Sequence, residues 1–434
     1  MRIPLILFPI LAASCVSGCG SDGDERSEGR VENVLFVVID TLRADRLQPY
    51  GYDRATSPVL DEFARESVVF DRAQSSSSWT MPALASLMTG LHTSTHKVDD
   101  KTSALDPSYT TLAEVLSEAG YATGAVTGNM FTLPHYGFGQ GFSTYHQVLD
   151  SKSTERRDRR TWRFNSITSP EITKLALRWL KNRAEDPRPW FFWVHYFDPH
   201  STYMAHAGTE HFGHEETDRY DGEIEFTDRH VGRLLKQLDE QGLAQSTAVI
   251  VLSDHGEELG DHGDKHHRRT LYREVLRVPL MIRTPGIPPK RVPDVVAIVD
   301  VMPTVLELLG ESRVGGLHGR SLVPLLDGEP LPPVSAVAEL LDIEGGRQYS
   351  IVRDRWKLIV HDEGETQLFD MQDDPEERSD LAKARPGLVV ELQEELNARL
   401  SEARTDAGKY GVAADVELSD RELKELRQLG YGGD

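Results

Sequence analysis

The sequence predicts an α/β fold: a central, mostly parallel sheet flanked by helices, with a small C-terminal α+β subdomain. Three observations predict it. Unbroken apolar, β-rich runs recur at Val34–Ile39, Phe191–Val194, Ala248–Leu252 and Leu280–Ile282, as expected of strands buried on both faces. Helical spacing appears between them, the alternation of an α/β domain. From about Ala336 the apolar runs become short and separated by turns, the pattern of an antiparallel meander.

The elements follow in order. Residues 1–19 read as a targeting segment: Arg2 precedes the apolar stretch Ile3–Ala13, which is too short to span a bilayer. Its end, Val16-Ser17-Gly18-Cys19, resembles the lipobox of bacterial lipoproteins, in which the cysteine is lipidated and begins the mature chain. Cys15 fits less well, with Ala12 three residues before it; an ordinary cleaved signal peptide ending near Gly18 or Gly20 is the alternative. Either reading exports the chain to the periplasm or cell envelope, the first with a membrane anchor on Cys19. Residues 20–32 form a polar, flexible tether.

The main domain spans 33–335. Its first strand, Val34–Ile39, is followed by helical spacing at Pro58–Glu66, a short apolar stretch at Ala83–Met88, and a helix over Thr111–Ala119. Lys152–Arg163 carries five arginines and one lysine and reads as a solvated loop or helix edge, with an anionic substrate or lipid headgroup as the other reading. A helix over Asp228–Gln241 precedes the strand Ala248–Leu252. The subdomain, 336–434, holds strands Tyr349–Arg353, Trp356–Val360 and Gln367–Asp370 and a helix over Gly387–Ala403. A last helix opens on the capping-box spacing Ser419 to Glu422 and carries Leu423, Leu426 and Leu429.

Composition narrows the chemistry. Of 434 residues, 48 are Lys or Arg and 70 are Asp or Glu, a formal charge of −22, which argues against nucleic acid as partner. Only two cysteines are present, and both lie in the leader. The folded body therefore has no disulfide framework, Cys-ligated zinc or cysteine nucleophile. Two strands end in metal-ligand chemistry: Val34–Ile39 runs into Asp40, and Ala248–Leu252 into Ser253-Asp254-His255-Gly256. An Asp after a strand is often only a helix N-cap. Two such ends, one pairing carboxylate with imidazole, point to a shared cation such as Mn²⁺, Mg²⁺ or Zn²⁺, with Ca²⁺ a poorer fit.

The motifs Asn33–Asp45, Trp79–Gly90, His195–His200, Ser253–Glu257, Gly260–Gly263, Leu271-Tyr272, Arg277–Leu280 and Gly319–Leu326 occur in that order. With Trp356–Leu358, Leu368–Asp370 and Asp374-Pro375, they resemble the sulfatase family of the alkaline phosphatase superfamily over nearly the whole chain after the leader. The resemblance implies a metal-dependent hydrolase or transferase of sulfate or phosphate esters, with one divalent ion. It places Asp40, Asp254 and His255 at metal-ligand positions. His200 and His267 fall where the family sets cationic or hydrogen-bonding groups against the ester. The implied substrate is an anionic ester of a glycan, lipid or small molecule.

The chain departs from the family at the nucleophile. Sulfatases carry Cys or Ser two residues before the motif proline, converted to formylglycine, and Arg two residues after it. Around Pro82 these positions hold Thr80 and Leu84. The family's Lys-x-His element is replaced by Gly128-Asn129-Met130-Phe131, and the second Asp of its Asp-Asp pair by Thr41. Threonine cannot become formylglycine, yet a metal-bound Thr80 hydroxyl suits attack on phosphorus, as in the superfamily's phosphodiesterases and phosphoglycerol transferases. Sulfate suits it less well, because a plain threonine adduct cannot collapse without attack on sulfur. Thr80 as a mere helix cap is the bland reading. A degenerate family member that binds an anionic glycan or lipid headgroup without turnover is the functional alternative. Ser75–Ser78 offer hydroxyls without the x-Pro spacing. His195 and His206 read as ordinary histidines, His262 and His266 as solvated or joined to a second metal, and Glu257 and Glu258 as helix-start charges.

Overall fold

The computed structural model describes residues 30–148, 167–183, 185–311, 314–341, 346–362, 364–413 and 415–428. The export segment with Cys19, most of the tether, the Lys152–Arg163 stretch and Leu429 lie outside them. In chain order the strands are β1 (Asn33–Ile39), β2 (Val68–Gln74), β3 (Ala122–Thr127), β4 (Thr144–Gln147), β5 (Trp190–Tyr196), β6 (Thr247–Leu252), β7 (Glu258–Leu259), β8 (Lys265–His266), β9 (Leu280–Arg283), β10 (Lys290–Ala297), β11 (Ala336–Leu340), β12 (Gln348–Arg353), β13 (Trp356–His361) and β14 (Thr366–Asp370). The α-helices are α1 (Pro58–Ala64), α2 (Thr80–Thr89), α3 (Thr93–His96), α4 (Leu112–Glu118), α5 (Ser169–Arg183), α6 (Glu216–Glu240), α7 (Arg273–Leu276), α8 (Val301–Leu308), α9 (Val323–Asp327), α10 (Pro386–Asp406) and α11 (Asp420–Gln428).

Eight strands form one sheet in the order β10-β2-β9-β6-β1-β5-β3-β4. All neighbours run parallel except β9, which is antiparallel to both β2 and β6. The strand β1 lies at the centre, with Val38 beside His195 of β5 and Leu252 of β6. Its alternating side chains serve both faces, as the pleat requires. Val34, Phe36 and Val38 pack with Leu84 and Leu87 of α2, Leu112 of α4 and Val305 of α8. Leu35, Val37 and Ile39 pack with Leu60 of α1, Ile172 of α5 and Leu234 of α6. This two-sided burial explains why β1 reads as an unbroken apolar run.

The strands β11–β14 form the second sheet, an antiparallel meander. Leu392, Leu396 and Leu400 of α10 cover one of its faces. Val295 and Ala297 of β10 meet Ala336 and Val352 across the seam with the large sheet.

Several elements differ from the sequence reading. The helix expected over Asp228–Gln241 begins at Glu216, because an Asp- and Glu-rich first turn suits the positive end of a helix. The strand β3 was not expected, since Thr123-Gly124-Ala125 carries little apolar bulk. Gly124 is needed there because a Cβ would lie 2.4 Å from the Trp179 indole, which stacks on Phe192 at 4.1 Å. Glu257 and Glu258 do not begin a helix; Gly256 and Glu257 instead bond to the main chain of Val275 and Glu274, and Glu258 enters the short ribbon of β7 with β8. The capping box expected at Ser419 is formed, and Thr111 with Glu114 makes a second one at the start of α4.

Candidate active site

Four adjacent parallel strands, β6, β1, β5 and β3, deliver their carboxyl ends to one place, where open α/β sheets gather ligands. Asp40 follows β1, Asp254 and His255 follow β6, His195 lies one residue from the end of β5, and Asn129 follows β3. The first residue of α2, Thr80, points in from one face of the sheet. All six are buried. Carboxylate oxygens of Asp40 and Asp254 and a ring nitrogen of His255 lie within 4.8 Å of one another. Nε2 of His255 is 3.4 Å from Asp40 Oδ1 and 3.6 Å from Asp254 Oδ2.

Proton assignment shows why this cluster fits a cation. His255 Nδ1 lies 2.8 Å from the Gly256 carbonyl, which can only accept, so Nδ1 is the donor there and Nε2 of the neutral ring presents a lone pair. That lone pair faces Asp40 Oδ1 and Asp254 Oδ2, two buried oxygens with no hydrogen-bond partner. Three electron-rich atoms thus converge without a donor among them, the donor set of a divalent ion. Burial, then the Asp254 charge, holds the Asp40 carboxyl well above the ordinary carboxylate range, and a cation would reverse that effect.

Thr80 touches this cluster. Its Oγ1 is 3.2 Å from His255 Nε2. Asn129 Nδ2 donates to Asp40 Oδ2 at 2.6 Å and to Thr80 Oγ1 at 3.3 Å. Since Thr80 accepts from Asn129, its own proton points to the His255 lone pair. The helix-cap reading is excluded, because Trp79 occupies the N-cap position and no side chain caps α2.

His200 and His267 close the opposite side, with ring centres 4.9 Å apart and His267 4.7 Å from His255. His200 Nδ1 bonds to Ser201 O at 2.9 Å. His267 Nδ1 bonds to Glu257 Oε1 at 2.9 Å. Burial, then the neighbouring His267, pushes His200 down to about 3. Burial, then His255, holds His267 well below the ordinary imidazole value. Both rings are therefore neutral at pH 7 and lose a proton readily once they gain one.

Several residues gain a place here that the sequence did not assign. His195 is buried with neither ring nitrogen hydrogen-bonded, and its Nε2 is 3.9 Å from Asp254 Oδ2. Glu257 is a buried partner of His267 rather than a helix-start charge. Ser75–Ser78 hold the approach to Thr80: Ser75 Oγ donates to Asp254 O, Ser77 Oγ to Glu339 O at 2.7 Å, and Ser78 O accepts from Arg268 N at 3.0 Å. His206 bonds to Glu223 at 3.3 Å, away from the metal-type cluster. His262 bonds to Glu274 and Glu377 and is not among the clustered ligand atoms. His266 sits in β8, also outside the cluster. Thr41 takes a left-handed φ of 56°, and Leu84 lies in the apolar core.

Comparison with known proteins agrees with this architecture. Residues 32–311 match the sulfatase family, and residues 260–406 match the C-terminal region of N-sulphoglucosamine sulphohydrolase. Arylsulfatase K of Bos taurus is 25% identical over 94% of this chain and 89% of its own. Choline-sulfatase of Rhizobium meliloti is 28% identical over 82% of this chain and 83% of its own. Among solved structures, a 2-O GAG sulfatase superposes with a TM-score of 0.74 at 19% identity, covering 89% of this chain and 95% of that one. The phosphonate monoester hydrolase of Agrobacterium radiobacter does so with a TM-score of 0.70 at 21% identity, covering 86% and 96%. The chain belongs to the sulfatase family, whose members bind a divalent metal ion, and its family relationship supports ester hydrolysis.

Proposed function

We propose that this protein is a metal-dependent hydrolase of sulfate or phosphate esters in which Thr80 replaces formylglycine as nucleophile. The observation that carries the reading is Thr80 Oγ1, 3.2 Å from His255 Nε2 at the edge of the Asp40, Asp254 and His255 cluster. These three residues would hold one divalent ion. When bound, that ion supplies positive charge that lowers the pKa of a nearby hydroxyl and offsets charge on the ester oxygens.

The chain's own residues do the rest. Asn129 fixes Thr80 Oγ1 and leaves its lone pair directed into the site. Oγ1 bonds to sulfur or phosphorus as the bond to the alcohol oxygen breaks. The proton released by Thr80 passes by way of the neutral His200 and His267 imidazoles, which give up a gained proton readily, to the departing alcohol oxygen. Water then cleaves the threonine ester, or an acceptor alcohol takes its place. A phosphorus ester suits this second step better than a sulfate, and phosphonate hydrolysis by a structural neighbour lends weight to phosphorus substrates. A relative named an ulvan-active sulfatase and a structural neighbour in complex with its substrate D-glucosamine-2-N,6-O-disulfate support an anionic glycan as the alcohol portion.

The test is turnover by the chain beginning after Cys19, loaded in turn with Mn²⁺, Mg²⁺, Zn²⁺ and Ca²⁺. Cleavage of a p-nitrophenyl phosphodiester or phosphonate supports the phosphorus reading, and cleavage of p-nitrophenyl sulfate alone supports the sulfate one. The burial of Leu84 in the core, with no cation at that position, favours a second reading in which the protein binds an anionic ester without turnover. Ester binding by the metal-loaded protein with no cleavage selects it. We also propose envelope export with a lipid on Cys19; labelling with radioactive palmitate, lost in Cys19→Ala, checks it.

A further inference from the structure

The loop that carries Glu257 and His267 is held from the far side by the C-terminal subdomain, where Arg378 donates to the Asp261 carbonyl, Gln348 to the Arg269 carbonyl, and one imidazole bonds to both sides. His262 Nε2 lies 3.1 Å from the carbonyl of Glu377 and its Nδ1 2.6 Å from Glu274 Oε1. A carbonyl only accepts, so Nε2 carries a proton. A second proton lies in the short bond between Nδ1 and the carboxylate. The ring is fixed further by stacking on Tyr272 at 3.8 Å and 5°. Burial works against a charged ring here, but the Glu274 carboxylate outweighs it and raises His262 above the ordinary imidazole value.

Each end of this bridge leads somewhere. Glu377 is buried, and its carboxylate takes both Lys357 Nζ of β13 at 2.9 Å and the Arg273 amide of α7 at 3.0 Å. The Glu274 carbonyl receives the Glu257 amide at 3.1 Å, and the Val275 carbonyl receives the Gly256 amide at 2.9 Å. The approach is so close that a Cβ on Gly256 would lie 1.9 Å from Glu274 O. Glu257 in turn binds His267. A continuous chain of bonds therefore runs from Glu377 through His262, Glu274 and Glu257 to His267.

We propose that His262 is a positioning residue: by donating to both Glu274 and Glu377, it ties the C-terminal subdomain to the loop that orients Glu257 and His267. It touches no substrate. Its catalytic consequence rests on the function proposed above, whereas the tie itself does not.

The test uses the full chain and three substitutions. His262→Gln presents an amide near the Nε2 position, His262→Asn one near Nδ1, and His262→Ala presents none. Amide hydrogen exchange reads the tie without any assay of activity. His262→Ala is expected to speed exchange at Gly256 and Glu257 by about tenfold or more while leaving β1 unchanged, with Gln and Asn each restoring part of the protection. Turnover is then expected to follow exchange, with kcat falling about tenfold in the Ala variant and KM moving less than twofold. Unchanged exchange in His262→Ala overturns the proposal. So does a loss spread equally over β1, or one that neither amide relieves, because the ring would then act by packing alone. Wild-type chain that cleaves no ester sinks the proposed function, and exchange still decides the tie.

Discussion

Asn129 reaches Asp40 from the next strand but one, with Nδ2 2.6 Å from the carboxylate Oδ2. The same amide nitrogen lies 3.3 Å from Thr80 Oγ1, so one side chain sets both the central carboxylate and the candidate nucleophile. Its Oδ1 also accepts from Phe131 N at 2.8 Å. The Asn129→Ala variant is expected to lose about 10- to 100-fold in kcat and about 1 kcal/mol of stability from the lost cap. The Asn129→Asp variant keeps that cap but has no donor and adds a carboxylate beside Asp40. It should be as inactive as the Ala variant and melt lower, because a second buried carboxylate against Asp40 costs more than the bond to Phe131 N contributes. Steady-state rates and thermal melts of the two check this.

Thr80 separates the enzyme from the silent binder. Thr80→Ala is expected to lower kcat by about 10³-fold or more, and Thr80→Ser, which keeps the hydroxyl, by about tenfold or less. Equal rates in wild type and Thr80→Ala would remove Thr80 from the chemistry. Trapping a phosphorylated peptide that contains Thr80, by acid quench and mass spectrometry, checks the adduct directly.

Removal of the metal bears on stability as well as rate. Chelation followed by dialysis is expected to abolish turnover and lower Tm, with both restored by the matching ion. A site filled at about 100 times its Kd adds roughly 2.7 kcal/mol to stability. Asp254→Asn should abolish the ion's effect on Tm. If added ions leave the wild-type Tm unmoved, the Asp40, Asp254 and His255 cluster is not their site.

One buried carboxyl sets a pH dependence far from the metal-type cluster. Asp228 of α6 accepts from the amides of Val59 and Leu60 at the start of α1. Burial, only partly opposed by those two bonds, pushes it from 3.8 up to about 7. A folded value above the unfolded one means that its contribution is complete below pH 4 and lost as pH rises through 7. Asp228→Asn should make the fall in stability between those limits shallower, with the raised carboxyls of Glu258 and Asp300 keeping the remainder. Denaturation midpoints at half-unit pH steps check the slope.

Strands buried on both faces were legible because the large sheet lies between two layers of helices, and β1, β5 and β6 show it. Asp40, Asp254 and His255 were legible because they terminate such runs. His195 was not, since inside β5 a histidine looks like one more strand residue until β6 brings Asp254 beside it. Asn129 was visible only as a departure from the family's Lys-x-His element. Its role depends on contacts with residues 89 and 49 positions away. Glu257 was misread because the pattern of charges resembles a helix start, while its partners Glu274 and His267 are brought in by a chain reversal with no periodic signature.

The strand β11 bonds to the serines ahead of Thr80, with Glu339 N donating to Ser76 O at 2.9 Å and Ser77 Oγ donating to Glu339 O at 2.7 Å. The consequence concerns biosynthesis. A chain leaves the ribosome from its N-terminus at about 5–20 residues per second, so Thr80, Asp254 and His255 all emerge before Glu339 exists. A nascent chain ending before β11 holds every proposed reacting group but not the bonds that seat the threonine. The proposed reacting groups therefore gain the bonds that seat their approach only once the last quarter of the polypeptide has been made.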